Sequence, residues 1–232
     1  MLEELKSQVC EANLRLAHEG LAVQTWGNAS GIDRASGLVV IKPSGVSYVG
    51  MTAAQMVVVE LISGKVVEGN LNPSTDTATH LELYRSFSAV GGIAHTHSLY
   101  ATAWAQAQRD IPMLGTTQAD YFAGPVPCTR PMTAAEIEGD YERNTGQVIV
   151  ECFANRDPLH TPAVLVSSHG PFAWGPTVAK AVDAAACLEY VAHLAILAQQ
   201  LNPGVTALDE VLHKKHFFRK HGQGAYYGQP EP

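Results

Sequence analysis

Short runs of β-branched residues follow one another in this chain with only turns between them, and that order restricts the sheet they can form. Residues 38–41 and 56–61 are two such runs, bounded by turn signals at 43–45 and 63–64. Antiparallel strands can be joined by short turns, whereas parallel neighbours need a long crossover. The pattern therefore favours a mixed or antiparallel sheet covered by helices over a purely parallel, doubly wound one.

Helical and strand patterns alternate through the rest of the chain. The capping-box spacing of Thr133 and Glu136 begins one of the helices. The expected helices cover residues 2–16, 77–87, 98–108, 134–144 and 177–201, and further strands cover 92–98, 147–153 and 163–168. Because no repeat, low-complexity tract or linker divides the chain, we expect residues 1–232 to form one domain.

Composition and charge exclude several classes of protein. Hydrophobic residues make up 46% and charged residues 16%, which is typical of a folded chain and not of a disordered one. A net charge of -7 argues against a general nucleic-acid binder, which normally carries a basic excess. No run approaches the roughly 18 apolar residues of a membrane span, the N-terminus lacks a secretory signal, and the four cysteines form no close pair. We expect a cytoplasmic protein with neither a nucleic-acid nor a membrane partner.

Three histidines are candidate metal ligands. His95 and His97 are separated by one residue in a predicted strand, so their side chains project to the same face. His169 stands at the end of another predicted strand, where a turn begins. Three imidazoles with an open fourth position are typical of a catalytic zinc site. By spacing alone, however, the pair is equally consistent with an ordinary half-exposed strand.

An ordered set of motifs resembles the class II aldolase/epimerase superfamily and, within it, the L-ribulose-5-phosphate 4-epimerases. The resemblance runs from the first helix to the last residues. The motifs are Thr25-Trp26-Gly27-Asn28, Lys42-Pro43-Ser44-Gly45, Pro73-Ser74-Thr75-Asp76, His95-Thr96-His97, Gly115-Thr116-Thr117-Gln118-Ala119-Asp120-Tyr121, His169-Gly170-Pro171-Phe172 and Tyr226-Tyr227-Gly228.

This resemblance implies a fold, an assembly and a reaction. The fold is a three-layer α/β/α sandwich around a mostly antiparallel sheet, and the assembly is a homotetramer with active sites between subunits. The reaction interconverts L-ribulose 5-phosphate and D-xylulose 5-phosphate. The C3–C4 bond breaks to give the enediolate of dihydroxyacetone and glycolaldehyde phosphate, the aldehyde turns over, and the bond reforms on its other face.

The resemblance also assigns a metal and its ligands. It implies Zn²⁺, with Mn²⁺ or Co²⁺ as other divalent candidates, held by His95, His97 and His169 with Asp76 close by. A divalent cation stabilises the negative charge that C–C cleavage leaves on the ketone fragment. The related aldolases carry a glutamate at the acidic position, so the shorter Asp76 favours the epimerase. Asp76 could also serve as the cap of the helix that follows it.

Two further groups are implied for proton transfer at the C4 hydroxyl, since the aldehyde presents opposite faces before and after it turns. The resemblance nominates Asp120 and Tyr227, with the C-terminal segment 206–232 completing the active site. His216, in a basic segment, is a candidate for positioning substrate across a subunit interface. The alternative for His216 is an exposed helix residue.

The substrate phosphate requires backbone N–H donors and one cation. Three pairs of small residues, which we interpret as turns, permit close approach of an anion, and Lys42 can add a charge-assisted bond. The pairs are Gly27-Asn28, Ser44-Gly45 and Ser74-Thr75. Thr75 departs from the family pattern, in which a second serine is commoner, but it keeps the hydroxyl.

Three other interpretations compete with an epimerase. The first is an aldolase of the same superfamily, of the type that cleaves L-fuculose 1-phosphate, which shares the metal and phosphate sites. The second is a non-catalytic scaffold like the head domain of adducin, against which the three histidines count. The third, a histidine-based metal sensor, leaves the phosphate turns unexplained.

Overall fold

A seven-stranded sheet forms the centre of the computed structural model, which describes residues 2–222 and 224–228. The strands are β1 Gly27–Asp33, β2 Leu38–Ile41, β3 Val57–Glu60, β4 Val66–Glu68, β5 Gly92–Thr96, β6 Ala163–Leu165 and β7 Pro171–Gly175. Their order across the sheet is β4-β3-β2-β1-β5-β7-β6, and every pairing of neighbours is antiparallel. The antiparallel sheet predicted from the short connections is confirmed.

Helices cover both faces of this sheet. They are α1 Glu3–His18, α2 Thr77–Ser86, α3 Leu99–Gln106, α4 Thr116–Ala119, α5 Ala134–Glu138, α6 Tyr141–Cys152, α7 Val178–Leu201 and α8 Glu210–Lys220. Side chains alternate between two cores: Val40 packs with α1 and α7, and Val39 packs on the other face with α2. This arrangement is the expected three-layer α/β/α sandwich.

The central strand β1 was not predicted, because its sequence GNASGID contains only one β-branched residue, Ile32, among small and polar ones. Its small residues have a packing reason. A Cβ added at Gly31 would lie 2.5 Å from Val178 of α7 and 2.8 Å from Leu5 of α1. The helices therefore approach this strand too closely for larger side chains. The pair Gly27-Asn28, interpreted as a turn, is in fact the start of β1.

The strand predicted at 147–153 is wrong, since this segment lies in α6. Three β-branched residues of α6 are buried together: Thr145, Val148 and Ile149. Val148 and Ile149 follow Thr145 by three and four residues, as on one face of a helix. Gly146 lets α6 approach α2, because a Cβ there would lie 2.6 Å from that of Glu82. Packing against α2 thus overrides the β propensity of the segment.

One helix, α7, bears on the expectation that the protein has no membrane partner. By length and composition alone, α7 qualifies as a span. In this structure its apolar residues Val182, Leu188 and Ala192 are buried in the core under the sheet. The carboxylate of Glu189, midway along the helix, accepts hydrogen bonds of 2.9 Å from the backbone N–H groups of Tyr100 and Ala101. We conclude that α7 is a core helix of this fold.

The close packing of α7 on the sheet can be tested at Gly92, the first residue of the strand that contains His95. A Cβ at position 92 would lie 2.5 Å from the backbone nitrogen of Val178. We expect Gly92→Ala to lower the free energy of unfolding by about 3 kcal/mol, because neither backbone can yield cheaply. Gly124→Ala is the control, since nothing lies within 4 Å of its added Cβ. Equal denaturation midpoints for the two variants would contradict the packing argument.

Candidate metal centre and adjoining clefts

The sheet brings the three predicted histidines together. His95 lies in β5 and His97 directly follows the strand, and the Nε2 atoms of the two rings lie 3.2 Å apart. His169 reaches them from the turn before β7, where Ser168 adopts a left-handed φ of 61°. One ligand atom from each histidine can be chosen so that all lie within 4.8 Å of one another. This is the spacing of groups able to share one ion.

The environment keeps these imidazoles suited to metal binding. Burial, reinforced by the neighbouring histidines, lowers the pKa of His169 to about 4 and also lowers the pKa of His97. The Nδ1–H of His95 donates to the carbonyl of Pro171 at 2.9 Å, which leaves its Nε2 free as a ligand atom. Three imidazole nitrogens, one of them on a ring oriented by a backbone carbonyl, fit Zn²⁺ or a similar divalent ion.

Asp76 lies beside the histidines at the N-terminus of α2. Asp76 occupies the N-cap position, but its side chain makes no capping hydrogen bond, so the additional role predicted for it as a side-chain cap is wrong. Its Oδ2 instead accepts a hydrogen bond of 2.6 Å from the Asn28 side-chain amide. Burial by itself would raise the pKa of Asp76, but His95, the other nearby histidines and the Asn28 amide outweigh it and lower the pKa below its usual value. Asp76 is therefore held as a carboxylate.

Behind these groups lies a buried residue that the sequence did not single out. His80, one turn after Asp76 on α2, has its Nδ1 2.7 Å from Ser30 Oγ, which in turn lies 2.9 Å from the Tyr84 hydroxyl. Burial lowers the pKa of His80 to about 3. Its helical offset of four residues from Asp76 could have indicated that both lie on one face.

His80 predicts a pH dependence of stability. The unfolded chain binds a proton at His80 below its ordinary pKa of 6.5, whereas the folded chain binds it only near pH 3. Acidification from pH 6.5 should thus cost about 3 kcal/mol of unfolding free energy by pH 4 from this residue. In metal-free protein, His80→Gln should show a shallower loss of stability than wild type over this range, measured by urea unfolding. Equal slopes would contradict the assignment.

A cleft of about 410 Å³ adjoins the histidines and contains most of the predicted site. The predicted residues that line it are Gly27, Asn28, Lys42, Ser44, Gly45, Ser74, Thr75, Asp76, His95, His97 and His169. Backbone hydrogen bonds from Ser44 to Asn72 (2.9 Å) and from Ser74 to Lys42 (3.0 Å) hold two of the small-residue segments side by side. The third segment, at the start of β1, joins them through Asn28, whose amide donates to Ser74 Oγ at 3.0 Å.

Lys42 provides the positive charge of this cleft. It is only 2% exposed, its Nζ donates to the carbonyl of Pro43 at 3.2 Å, and no carboxylate of the described residues lies within 4.0 Å of it. Burial lowers its pKa from the usual value. A buried cation without a carboxylate partner is costly by itself, and an anion in the cleft would offset that cost.

Two lining residues were missed in the sequence analysis, Tyr141 and Glu142 at the start of α6. The hydroxyl of Tyr141 lies 3.5 Å from Nδ1 of His169. Thr79 Oγ1 donates to the carbonyl of Glu142 at 2.5 Å, which ties this end of α6 to α2. No local motif marks these residues, because only the contact between the two helices brings them to the cleft.

Asp120, His216 and Tyr227 do not line this cleft. Asp120 and Tyr227 border a second cleft of about 550 Å³, and His216 Nδ1 lies 3.1 Å from Asp120 Oδ1. The side chain of His216 is 19% exposed, so the alternative of an exposed helix residue is wrong. A single chain therefore groups these three residues with one another and apart from the histidines. Of the segment 206–232, residues 223 and 229–232 lie outside the described residues.

Comparison with known families matches residues 7–196 to the class II aldolase and adducin N-terminal domain. The chain belongs to this family. Class II aldolases depend on a divalent metal, and this family member retains a three-histidine site. Since the family also includes adducin, membership leaves the reaction to be argued from the residues of the site.

Solved structures of this class II aldolase family share the fold. An L-fuculose 1-phosphate aldolase superimposes with a TM-score of 0.78 at 25% identity, covering 93% of this chain and 95% of the other. YgbL of Klebsiella pneumoniae gives 0.72 at 25% identity, with coverages of 93% and 99%. The L-fuculose-1-phosphate aldolase of Thermus thermophilus, at 23% identity, shares the fold with a TM-score of 0.67 over 88% and 98% of the two chains.

Proposed function

We propose that this chain is a metal-dependent epimerase that interconverts L-ribulose 5-phosphate and D-xylulose 5-phosphate by reversible cleavage of the C3–C4 bond. The observation that carries the proposal is a single cleft in which three clustered imidazoles lie beside the buried ammonium group of Lys42, for which the described residues offer no carboxylate partner. Such a cleft suits a substrate with a ketone at one end and a phosphate at the other. The protein would act as one domain, in the cytoplasm, where its four free cysteines stay reduced.

Each part of the cleft has a role in this reaction. His95, His97 and His169, with Asp76 beside them, would hold Zn²⁺ or another divalent ion such as Mn²⁺ or Co²⁺. When bound, the ion supplies Lewis-acid stabilisation of the charge that develops on the ketone fragment. Lys42 would bind the phosphate, together with the small residues around it. These residues are Gly27, Asn28, Ser44, Gly45, Ser74 and Thr75.

The state of Asp76 supports an epimerase over an aldolase. An aldolase must protonate the enediolate carbon to release its ketone product, whereas an epimerase must leave that carbon unprotonated until the bond reforms. Asp76 is tied to Asn28 by a 2.6 Å hydrogen bond and has a lowered pKa. A carboxylate held in this way is a poor proton donor. The enediolate carbon would therefore stay unprotonated, and it would add back to the aldehyde.

The proton-transfer groups would come from a neighbouring subunit. Asp120 and Tyr227 border a different cleft from the histidines of their own chain. A homotetramer in which the C-terminal segment 206–232 of one copy covers the histidine cleft of the next would complete the site. His216, bound to Asp120, would contact the substrate across the same interface.

An aldolase acting on a related sugar phosphate is the second candidate, favoured by the structural likeness to an L-fuculose 1-phosphate aldolase at 25% identity. A coupled assay for D-xylulose 5-phosphate, run on zinc-loaded enzyme with and without chelator, separates the candidates. Chelator-sensitive formation of D-xylulose 5-phosphate is expected. Release of free aldehyde at a comparable rate would support the aldolase, and protein purified with no metal and no activity on reconstitution would support an adducin-like scaffold.

A further inference from the structure

Arg219 on α8 contacts both of the residues nominated for proton transfer. Its Nε lies 2.9 Å from Asp120 Oδ1 and its Nη2 lies 2.6 Å from Asp120 Oδ2, so the guanidinium binds both oxygens of the carboxylate. The same guanidinium lies 5.0 Å from the centre of the Tyr227 ring. The carbonyl of Arg219 accepts the backbone N–H groups of Tyr226 and Tyr227 at 2.9 and 3.0 Å. One residue thus joins the C-terminal tail to the loop that carries Asp120.

We propose that Arg219 is a positioning residue that fixes the Asp120 carboxylate and the Tyr227 ring relative to each other. This inference rests on the epimerase function proposed above. Inversion at C4 needs two groups at a set separation, one for each face of the aldehyde. A displacement of about 1 Å in such a pair costs on the order of 100-fold in rate.

The shape of the guanidinium matters as much as its charge. Two parallel N–H donors fix the plane of a carboxylate, which a lysine ammonium cannot do. Lys220 illustrates the difference, because its Nζ lies 3.8 Å from Asp120 Oδ2 and supplies charge without a short hydrogen bond. The orientation of Asp120 therefore depends on Arg219 rather than on the general positive charge of α8.

Arg219 also affects the titration of Asp120. Burial would raise the pKa of Asp120, but the hydrogen bonds from Arg219 and His216 and the charge of Lys220 outweigh it and lower the pKa. Without the two hydrogen bonds from the guanidinium, less remains to counteract the effect of burial. We therefore expect the pKa of Asp120 to rise when Arg219 is replaced. The other titratable and charged groups around this carboxylate are His221 and Tyr227 on the C-terminal segment, Tyr121 on its own loop, and Lys180, Asp183 and Cys187 on α7.

Two substitutions and a matched control test the proposal. Arg219→Lys keeps the charge and the backbone carbonyl but loses the paired donors, and Arg219→Ala loses both charge and donors. We expect Arg219→Lys to lower kcat about 100-fold with KM within about threefold of wild type, and to move the acid limb of the kcat profile to higher pH. Added guanidinium ion should restore part of the activity of Arg219→Ala. Arg130→Lys disrupts a surface pair with Glu136 and should change none of these quantities.

A titration of the Asp120 carboxyl by carbon-13 NMR gives a readout that does not depend on turnover. A higher pKa in Arg219→Lys than in wild type supports the positioning role even if L-ribulose 5-phosphate is not a substrate, in which case only the proposed function fails. An unchanged pKa together with an unchanged pH profile would overturn the role of Arg219. If Arg219→Ala does not fold, the lysine variant alone decides, because it keeps a positive charge and the backbone carbonyl that accepts the N–H groups of Tyr226 and Tyr227.

Discussion

The variant His97→Ala is expected to lose stoichiometric metal and to lower kcat/KM for L-ribulose 5-phosphate by about 1000-fold or more. The two remaining imidazoles are too few for a catalytic metal site, which normally has three protein ligands. The lost Lewis-acid stabilisation amounts to several kcal/mol, and about 4 kcal/mol corresponds to a factor of roughly 1000. Metal content by mass spectrometry and steady-state kinetics measure the two effects on the same preparation.

The control for this variant is His18→Ala, since His18 is an exposed residue at the end of α1. It should keep wild-type metal content and activity. His97 is only partly buried, so its loss should leave the fold intact, which circular dichroism can check. A His97→Ala protein with one ion per chain and normal turnover would place the metal elsewhere.

The second large effect concerns Lys42. Replacing Lys42 by methionine keeps the length of the side chain and removes its charge. We expect KM for the phosphorylated substrate to rise about 10- to 100-fold, since a hydrogen bond between charged groups contributes about 1.5–3 kcal/mol. The change in kcat should be smaller, because Lys42 holds the phosphate and not the reacting carbons.

The same substitution should raise the Tm of the free enzyme. Lys42 is buried, none of the carboxylates that the structure describes pairs with it, and methionine removes the cost of desolvating its charge. Lys65→Met, at an exposed position, is the control and should change neither KM nor Tm appreciably. An unchanged KM for Lys42→Met would remove Lys42 from the phosphate site.

The histidine pair could be predicted from the sequence because strand geometry by itself places alternate residues on one face. The fold class followed from the short connections between strand-like runs for a similar reason. β1 was missed because its small residues are required by the close approach of α1 and α7, and α7 lies far from it in sequence. The helix α6 was mistaken for a strand because its partner α2 decides its conformation. Tyr141, at the start of α6, reaches the site only through that packing.

The sequence also did not predict where Asp120, His216 and Tyr227 lie in the folded chain. The resemblance grouped them with the metal ligands, but one chain places them around a different cleft. Their mutual contacts, including the pair with Arg219, depend on how α8 docks on α4, which no local pattern encodes. The two clefts would act together where the second cleft of one subunit meets the histidine cleft of its neighbour in the proposed homotetramer.

The most direct test of the central claim is the conversion of L-ribulose 5-phosphate in D₂O, followed by proton and carbon-13 NMR with and without chelator. Cleavage of C3–C4 leaves the C4 hydrogen on the aldehyde carbon, where it does not exchange with solvent. We therefore predict metal-dependent formation of D-xylulose 5-phosphate that retains protium at C4, without accumulation of aldehyde. Deuterium at C4 of the product, or dihydroxyacetone and glycolaldehyde phosphate released at a comparable rate, would contradict the proposed reaction.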